Sequence, residues 1–212
     1  MTTTHLKLTG RSASHFTRVA RMIAHELAVP VEFEVIHDLM GLDPAPYGGH
    51  PALKLPTLHV AGAPVFGTDH ICRTLAALAG RATDPRVVLA SDDALVRNAQ
   101  ELVWHAMAAQ VQLVVGVQIA KLPADNPFFA KAAAGLRGAL AWLEAHHDEL
   151  DAALPTPRDV SLYEVTLFCL LEHLAFRPTV ALDDLPRLRA FAAAYATRPS
   201  AIATRFQFDP KP

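Results

Sequence analysis

The sequence predicts an α/β unit in the order β-α-β, β-β-α, followed by an all-helical domain. Three observations carry this prediction. Residues 1–80 alternate short β-branched or aromatic runs with apolar stripes at helical spacing. Pro56 stands inside the strand-like run His50 to Leu58, where it removes a ladder donor and so belongs at a strand start, an edge or a special turn. After a linker at 81–92, residues 93–212 read as helix almost throughout.

Each element follows in order. Residues 5–9 predict a first strand, and Gly10 to Ser14 a loop. Phe16, Val19, Ala20, Ile23, Ala24 and Leu27 recur at i, i+3/i+4 and i+7, one stripe of an amphipathic helix capped by Ser14. Val31 to Ile36 is a second strand. A Gly- and Pro-rich loop over 38–51 leads to Pro56, and Thr57 to Val60, Ala61-Gly62 and Pro64 to Phe66 form a tight hairpin. A proline opening an edge strand leaves backbone groups that can pair with a small peptide, next to the helix start at Thr68. That helix carries Ile71, Cys72, Leu75, Ala76 and Ala79 and stops at Gly80. Long helices are expected over 93–121 and 127–150. A helix at 162–176, apolar nearly all round, reads as central and buried, and a last one runs from Pro186 to Arg198-Pro199.

Composition narrows the function classes. The chain has 212 residues, 51% of them hydrophobic, and a formal charge of −2, which is ample for a core and unlike disorder. Its 19 basic residues are scattered, so no stripe suggests nucleic acid or an anionic membrane. Cys72 and Cys169 lie in apolar helical runs and read as free buried thiols. The N-terminus shows no charged-then-apolar leader. The apolar stretch Leu102 to Leu122 is broken by His105, Gln110, Gln112, Gln118 and Lys121, so it is not read as a membrane span. A cytoplasmic, soluble protein is expected.

Four segments, in this order and spacing, resemble the cytosolic glutathione S-transferase family over essentially the whole chain. Ser14-His15-Phe16-Thr17-Arg18-Val19 resembles its Ser-Pro-Phe-x-Arg-x-Val segment, and Lys54-Leu55-Pro56-Thr57-Leu58 its Lys-Val-Pro-x-Leu segment, whose proline is cis. Gly62 to Ile71 resembles Gly-x-x-Leu-x-Glu-Ser-x-Ala-Ile, and Ser161-Leu162-Tyr163-Glu164 the capping box of the family's sixth helix. The resemblance is to serine-type, theta- and zeta-like bacterial members. It implies a thioredoxin-like N-terminal domain, an all-α C-terminal domain, a homodimer and a detoxifying transferase. The chain departs from the pattern at three places: His15 replaces Pro, Leu53 takes a position that is often Gly, and Gly67-Thr68 replaces Glu/Gln-Ser.

The resemblance implies glutathione as co-substrate and an apolar electrophile held between the domains. A thiol with pKa near 8.5 is only about 3% ionised at pH 7, and the thiolate is the nucleophile. A hydroxyl donor with the amides and dipole of a helix N-terminus can depress that pKa by roughly one or two units. Ser14 is the expected donor, with Ser12 as a rival. Lys54 would pair with the glycyl carboxylate and the main chain of Leu55, before Pro56, with the cysteinyl portion. The N–H groups of Gly67 and Thr68, with the Thr68 hydroxyl, would receive the γ-glutamyl carboxylate.

Each of these residues also has a plainer role: an N-cap for Ser14 and Thr68, a solvated lysine for Lys54. Phe16, Trp104, His105 and Met107 could line the second-substrate pocket or simply pack in the core. Asp69 could face a ligand ammonium or solvent. No HExxH, spaced Cys/His cluster or Cys-x-x-Cys occurs, and the adjacent His146 and His147 make a poor chelating pair, so no metal is expected. The alternatives are a glutathione-dependent isomerase or dehalogenase on the same scaffold, and a non-catalytic binding or scaffolding member, which the loss at Gly67 favours.

Overall fold

A mixed sheet in the order β2-β1-β3-β4 opens the structure, a computed structural model that describes residues 5–210. Residues 1–4 and 211–212, the outer ends of the two expected domains and part of the stretch read for a leader, lie outside the described residues. Strand β1 (Leu6–Gly10) pairs in parallel with β2 (Glu32–Val35) and antiparallel with β3 (Thr57–Val60), which pairs with β4 (Ala63–Phe66), so Pro56 opens an inner strand and not the expected edge. Helix α1 (His15–Glu26) makes the parallel crossover, which antiparallel hairpins do not need, and α2 (Thr68–Leu78) follows β4. This is the expected thioredoxin-like N-terminal domain.

Gly10 shows why the chain can turn from β1 into α1 at this angle. A Cβ there would lie 2.4 Å from Thr17 Cγ2 and 2.6 Å from its Oγ1, so only glycine lets the strand end touch the first helical turn. Its carbonyl also accepts the Ile36 N–H at 3.0 Å, which ties the end of β2 to the same point.

The helical region comprises α3 (Ala94–Gln112), α4 (Pro127–Ala145), α5 (His147–Ala153), α6 (Leu162–Phe176), α7 (Pro186–Tyr195) and α8 (Pro199–Ala203). As its composition predicts, α6 is central: Val165, Leu167, Phe168, Cys169 and Leu170 are fully buried, and it packs on α1, α3 and α7. Helix α1 is covered by α6, α2 and α8, so Val19, Ala20, Met22 and Ile23 have no exposure. Both cysteines are free and buried; desolvation, the larger cause in each case, raises both thiols, Cys169 to about 12. The continuous helix Ala94–Ile119 is long and apolar enough to cross a membrane by length and composition, yet Val96, Ala99, Val103 and Met107 pack into the core beside α4 and α6.

Several sequence expectations are corrected. The helix expected over 93–121 widens at Leu113 into π-helical turns that run to Ile119. The one expected over 127–150 breaks at His146, whose ring nitrogen bonds the Trp142 carbonyl at 2.8 Å and whose ring stacks on Trp142; His147 packs on Phe191 instead. The last helix ends at Tyr195, and Pro199 opens α8. The linker is ordered: β5 (Val87–Val88) pairs in parallel with β6 (Val160–Ser161), and Arg81 and Arg86 both reach Asp159.

The capping box of α6 does not form. Ser161 stands at the N-cap with its hydroxyl buried and unpartnered, because β6 holds its backbone, while Glu164 turns to Arg158 at 2.8 Å. Gly10→Ala is expected to destabilise the chain by roughly 1–3 kcal/mol, the usual range for overpacking, read as a drop of several degrees in Tm. A Tm equal to that of the parent would show that Thr17 yields freely.

Candidate functional site

A cleft of about 170 Å³ opens where the C-terminal side of the sheet meets the helical region. Arg11, Ala13, Ser14 and His15 line it from the β1–α1 turn and α1, Leu39 and Leu55 from the loop before β3, Val111, Val114, Val115 and Ile119 from the end of α3, and His173 and Arg177 from α6 and its C-cap. Of the residues singled out in the sequence, it brings together Ser14 and Leu55. A larger hollow of about 770 Å³ lies between α2 and α3, lined by Asp69, Arg73, Arg97, Glu101 and Trp104; of the residues weighed in the sequence it takes Asp69 and Trp104, and none of Ser14, Lys54, Leu55, Gly67 and Thr68.

Ser14 is the N-cap of α1, with extended φ −98° and ψ 124°, and its Oγ accepts the Thr17 N–H at 3.3 Å. An oxygen that accepts a hydrogen bond keeps its own proton, so the cap leaves the O–H free to donate into the cleft. The rival Ser12 is buried and does not line it; its N–H instead donates to Asp209 Oδ2 at 3.0 Å, from the chain's last described turn.

Across the cleft, the Leu55–Pro56 peptide is cis and Pro56 is buried. The Leu55 N–H and C=O have no hydrogen-bond partner among the described residues. Leu53, two residues earlier, has φ +53°, a left-handed backbone in which its Cβ is disfavoured. Lys54 is exposed and makes no ion pair among the described residues.

At the start of α2 the cap is Gly67, not Thr68. Gly67 has φ +86° and ψ 128°, which only glycine adopts without strain, and its carbonyl accepts the Ile71 N–H at 2.9 Å. Thr68 is the first helical residue, buried, its hydroxyl without a hydrogen bond among the described residues. Asp69 turns away to Arg73 at 2.7 Å, an i,i+4 pair. Gly67, Thr68 and Lys54 lie outside the cleft lining itself.

Sequence reasoning missed the helical side of the site. His173 is 4% exposed; its Nε2–H donates to the Ala13 carbonyl at 3.2 Å, and its Nδ1 accepts from Gln110 Nε2 at 3.1 Å. Gln110 also donates to the Arg177 carbonyl at 2.9 Å and accepts from Thr179. This buried chain fixes the peptide just before Ser14 from α6. The only signal for it was a histidine in an otherwise apolar helix. His173 meets the His15 ring edge-on at 4.3 Å, and burial, before any other cause, holds both rings neutral, His173 down to about 4. Phe16, Trp104, His105 and Met107 do not line the cleft: Phe16 stacks on Trp104 at 5.8 Å, Met107 is in the core and His105 is exposed.

Residues 13–78 match the family model of the glutathione S-transferase N-terminal domain. The whole chain has the fold of glutathione transferases. It superposes on a family member from Pseudomonas fluorescens Pf-5 with bound glutathione at a TM-score of 0.80 and 22% identity, covering 95% of this chain and 99% of that one. A glutathione S-transferase from Methylobacterium radiotolerans JCM 2831, in complex with glutathione sulfonate, gives 0.80 at 19% identity, covering 98% and 97%. The theta class enzyme from Xanthomonas axonopodis pv. citri with glutathione bound gives 0.68 at 20%, covering 96% and 98%. No curated protein matches the chain. Residues 13–78 thus match a glutathione S-transferase N-terminal domain, and the chain has the glutathione transferase fold.

The neutral His173 sets a pH dependence. Its proton affinity is lower folded than unfolded, so stability is full above about pH 6.5 and is lost as pH falls toward 4, by an amount on the order of 3 kcal/mol. Urea unfolding at pH 7.5, 6, 5 and 4.5 is expected to show this fall, and His173→Gln, which keeps a donor toward Ala13, to flatten part of it. An unchanged slope in His173→Gln would mean that another group carries the effect.

Proposed function

We propose that the chain is a glutathione transferase in which the Ser14 O–H donates a hydrogen bond to the glutathione sulfur and holds it as thiolate, the thiol proton having left to solvent. The thiolate then attacks an electrophile in the cleft: the S–C bond forms and the leaving group departs with its electron pair. The observation that carries this reading is that Ser14, with a free O–H at the N-terminus of α1, shares one cleft with Leu55, whose N–H and C=O are unpaired. A peptide lying along Leu55 would put its cysteine against Ser14. Lys54 would take the glycyl carboxylate, and the Gly67 and Thr68 N–H groups with the Thr68 hydroxyl the γ-glutamyl carboxylate, at the unpaired end of α2. Glutathione bound to relatives of the same fold supports the co-substrate.

In this reading residues 1–80 hold glutathione and residues 93–212 the electrophile, within a cytoplasmic homodimer. The second reading, a non-catalytic binding member, is favoured by one observation: Gly67 offers no carboxyl or amide side chain, and its backbone would resist gaining one.

Calorimetric titration decides between binding and none. Glutathione is expected to bind with a Kd in the micromolar to millimolar range, and no heat at millimolar ligand would overturn the co-substrate assignment. Ser14→Ala is expected to raise the pKa of the bound thiol by roughly one or two units, read by thiolate absorbance, and to slow aryl-halide conjugation at pH 6.5 about tenfold or more. Because the same change removes a cap, it also costs about 1 kcal/mol of stability. Binding retained with thiol pKa and rate both unchanged would leave Ser14 as a cap alone.

A further inference from the structure

The helical wall of the cleft combines two kinds of surface. Val111, Val114, Val115 and Ile119 make it apolar, and with Leu39 they form its lip: Leu39, Val111 and Ile119 are 40%, 39% and 48% exposed. Arg11 and Arg177 make it cationic. The two guanidiniums feel each other, since Arg177 is made less basic by burial first and by Arg11 second. Their carboxylates are few. Asp209 stands 3.7 Å from Arg11 Nε but is already held by the Ser12 N–H, and Glu172 is directed at the buried Arg18, 3.9 Å away. Arg177 has no ion pair among the described residues; its guanidinium lies over the Phe208 ring, 4.8 Å from the centroid. His15 and His173, the other titratable groups on this wall, are neutral, so Arg11 is paired with Asp209 while the Arg177 charge has no carboxylate partner among the described residues.

The glutathione contacts proposed above come from the sheet side, at Leu55 and the start of α2. The charge at Arg177 therefore faces the other reactant. We infer that the cleft selects an amphipathic acid: an electrophile with a small apolar body against the α3 end and a carboxylate on Arg177, with Arg11 adding to the field. A planar guanidinium recognises a carboxylate through two parallel N–H···O bonds, and charge-assisted hydrogen bonds are roughly twice as strong as neutral ones. The inference rests on the conjugating function, but it also concerns binding alone and can be read without turnover.

The test compares 4-chloro-3-nitrobenzoate with its neutral primary amide, using the full chain and glutathione. In both, the thiolate sulfur bonds to the chlorine-bearing ring carbon and chloride leaves with the C–Cl electron pair. Each kcat/KM is divided by the uncatalysed rate constant, which removes the difference in ring electrophilicity. The acid is expected to be favoured about tenfold or more, mainly through KM, and Arg177→Met to lower the acid's value at least tenfold more than the amide's, with Arg177→Lys between them. Equal normalised values in the parent, or equal losses in Arg177→Met, overturn the inference.

Should neither compound turn over, the conjugating function fails, and calorimetry of the same two compounds still decides the inference. Tighter binding of the acid, lost in Arg177→Met, upholds it, and equal binding of acid and amide overturns it. Circular dichroism and Tm of Arg177→Met confirm that the variant compared is folded.

Discussion

Arg18 holds the two halves of this chain together, and it does so as a buried cation. Its side chain is 1% exposed, in the middle of α1, yet its partners come from the far end of the sequence. Its Nη2–H donates to the Ala201 carbonyl at 3.2 Å and its Nε–H to Thr204 Oγ1 at 3.4 Å, while its guanidinium lies between the rings of Phe168 and Phe206, at 4.9 and 4.3 Å. A charge taken out of water costs several kcal/mol unless its partners are in place, and the carboxylate paired with Arg18, Glu172 of α6, stands 3.9 Å away, so α8, α6 and the closing segment must all be in place for α1 to sit where it does. The same segment continues past Phe206 to Phe208, which packs on Phe176, and to Asp209, which accepts from the Ser12 N–H. One folded-back stretch thus gives the centre of α1 its hydrogen-bond acceptors and a covering ring, and fixes the loop that leads to Ser14.

That constraint explains why the site has two independent supports. From the sheet side, Gly10 allows β1 to end against Thr17, and Thr17 donates its N–H to Ser14. From the helical side, His173 holds the Ala13 carbonyl, and Gln110 orients His173 from α3. Ser14 sits between the two, on the last rigid point before the helix. A hydroxyl fixed in this way needs little reorganisation to meet a developing or resident negative charge.

Most of the fold was legible from the sequence because its signals were local. The hairpin Thr57–Val60 and Ala63–Phe66 was marked by strand runs around Ala61-Gly62, and α6 by an unbroken apolar surface. At the start of α6, partners outside the motif override the local pattern. Ser161 and Glu164 have the spacing of a capping box, but a strand pairing with Val88 and an ion pair with Arg158 take them. The break at His146 has no proline or glycine to announce it. Ser14 and Leu55, which line the cleft, stood beside local features, a helix start and a strand-opening proline, and the family resemblance singled them out. Arg177, His173 and the α3 lip were not found, because nothing near them in sequence distinguishes a cleft wall from a core helix or a helix end.

Gly67 shows how a lost side chain and a backbone conformation can be one fact. The Glu or Gln of the family's pattern is missing where φ is +86°, and a Cβ built there meets nothing within 4 Å. Space is therefore not what excludes a side chain; the backbone is. A residue at that corner with any other side chain would have to pull the α2 start into a different path, and with it Thr68, whose burial depends on the present one. In the proposed reading the γ-glutamyl end is consequently held by backbone N–H groups and one hydroxyl, and the site gives up side-chain affinity there. In the same reading the wall at Arg11 and Arg177 faces the opposite reactant. Specificity in this cleft then shifts from the common co-substrate to the electrophile, which is where members of one fold have reason to differ.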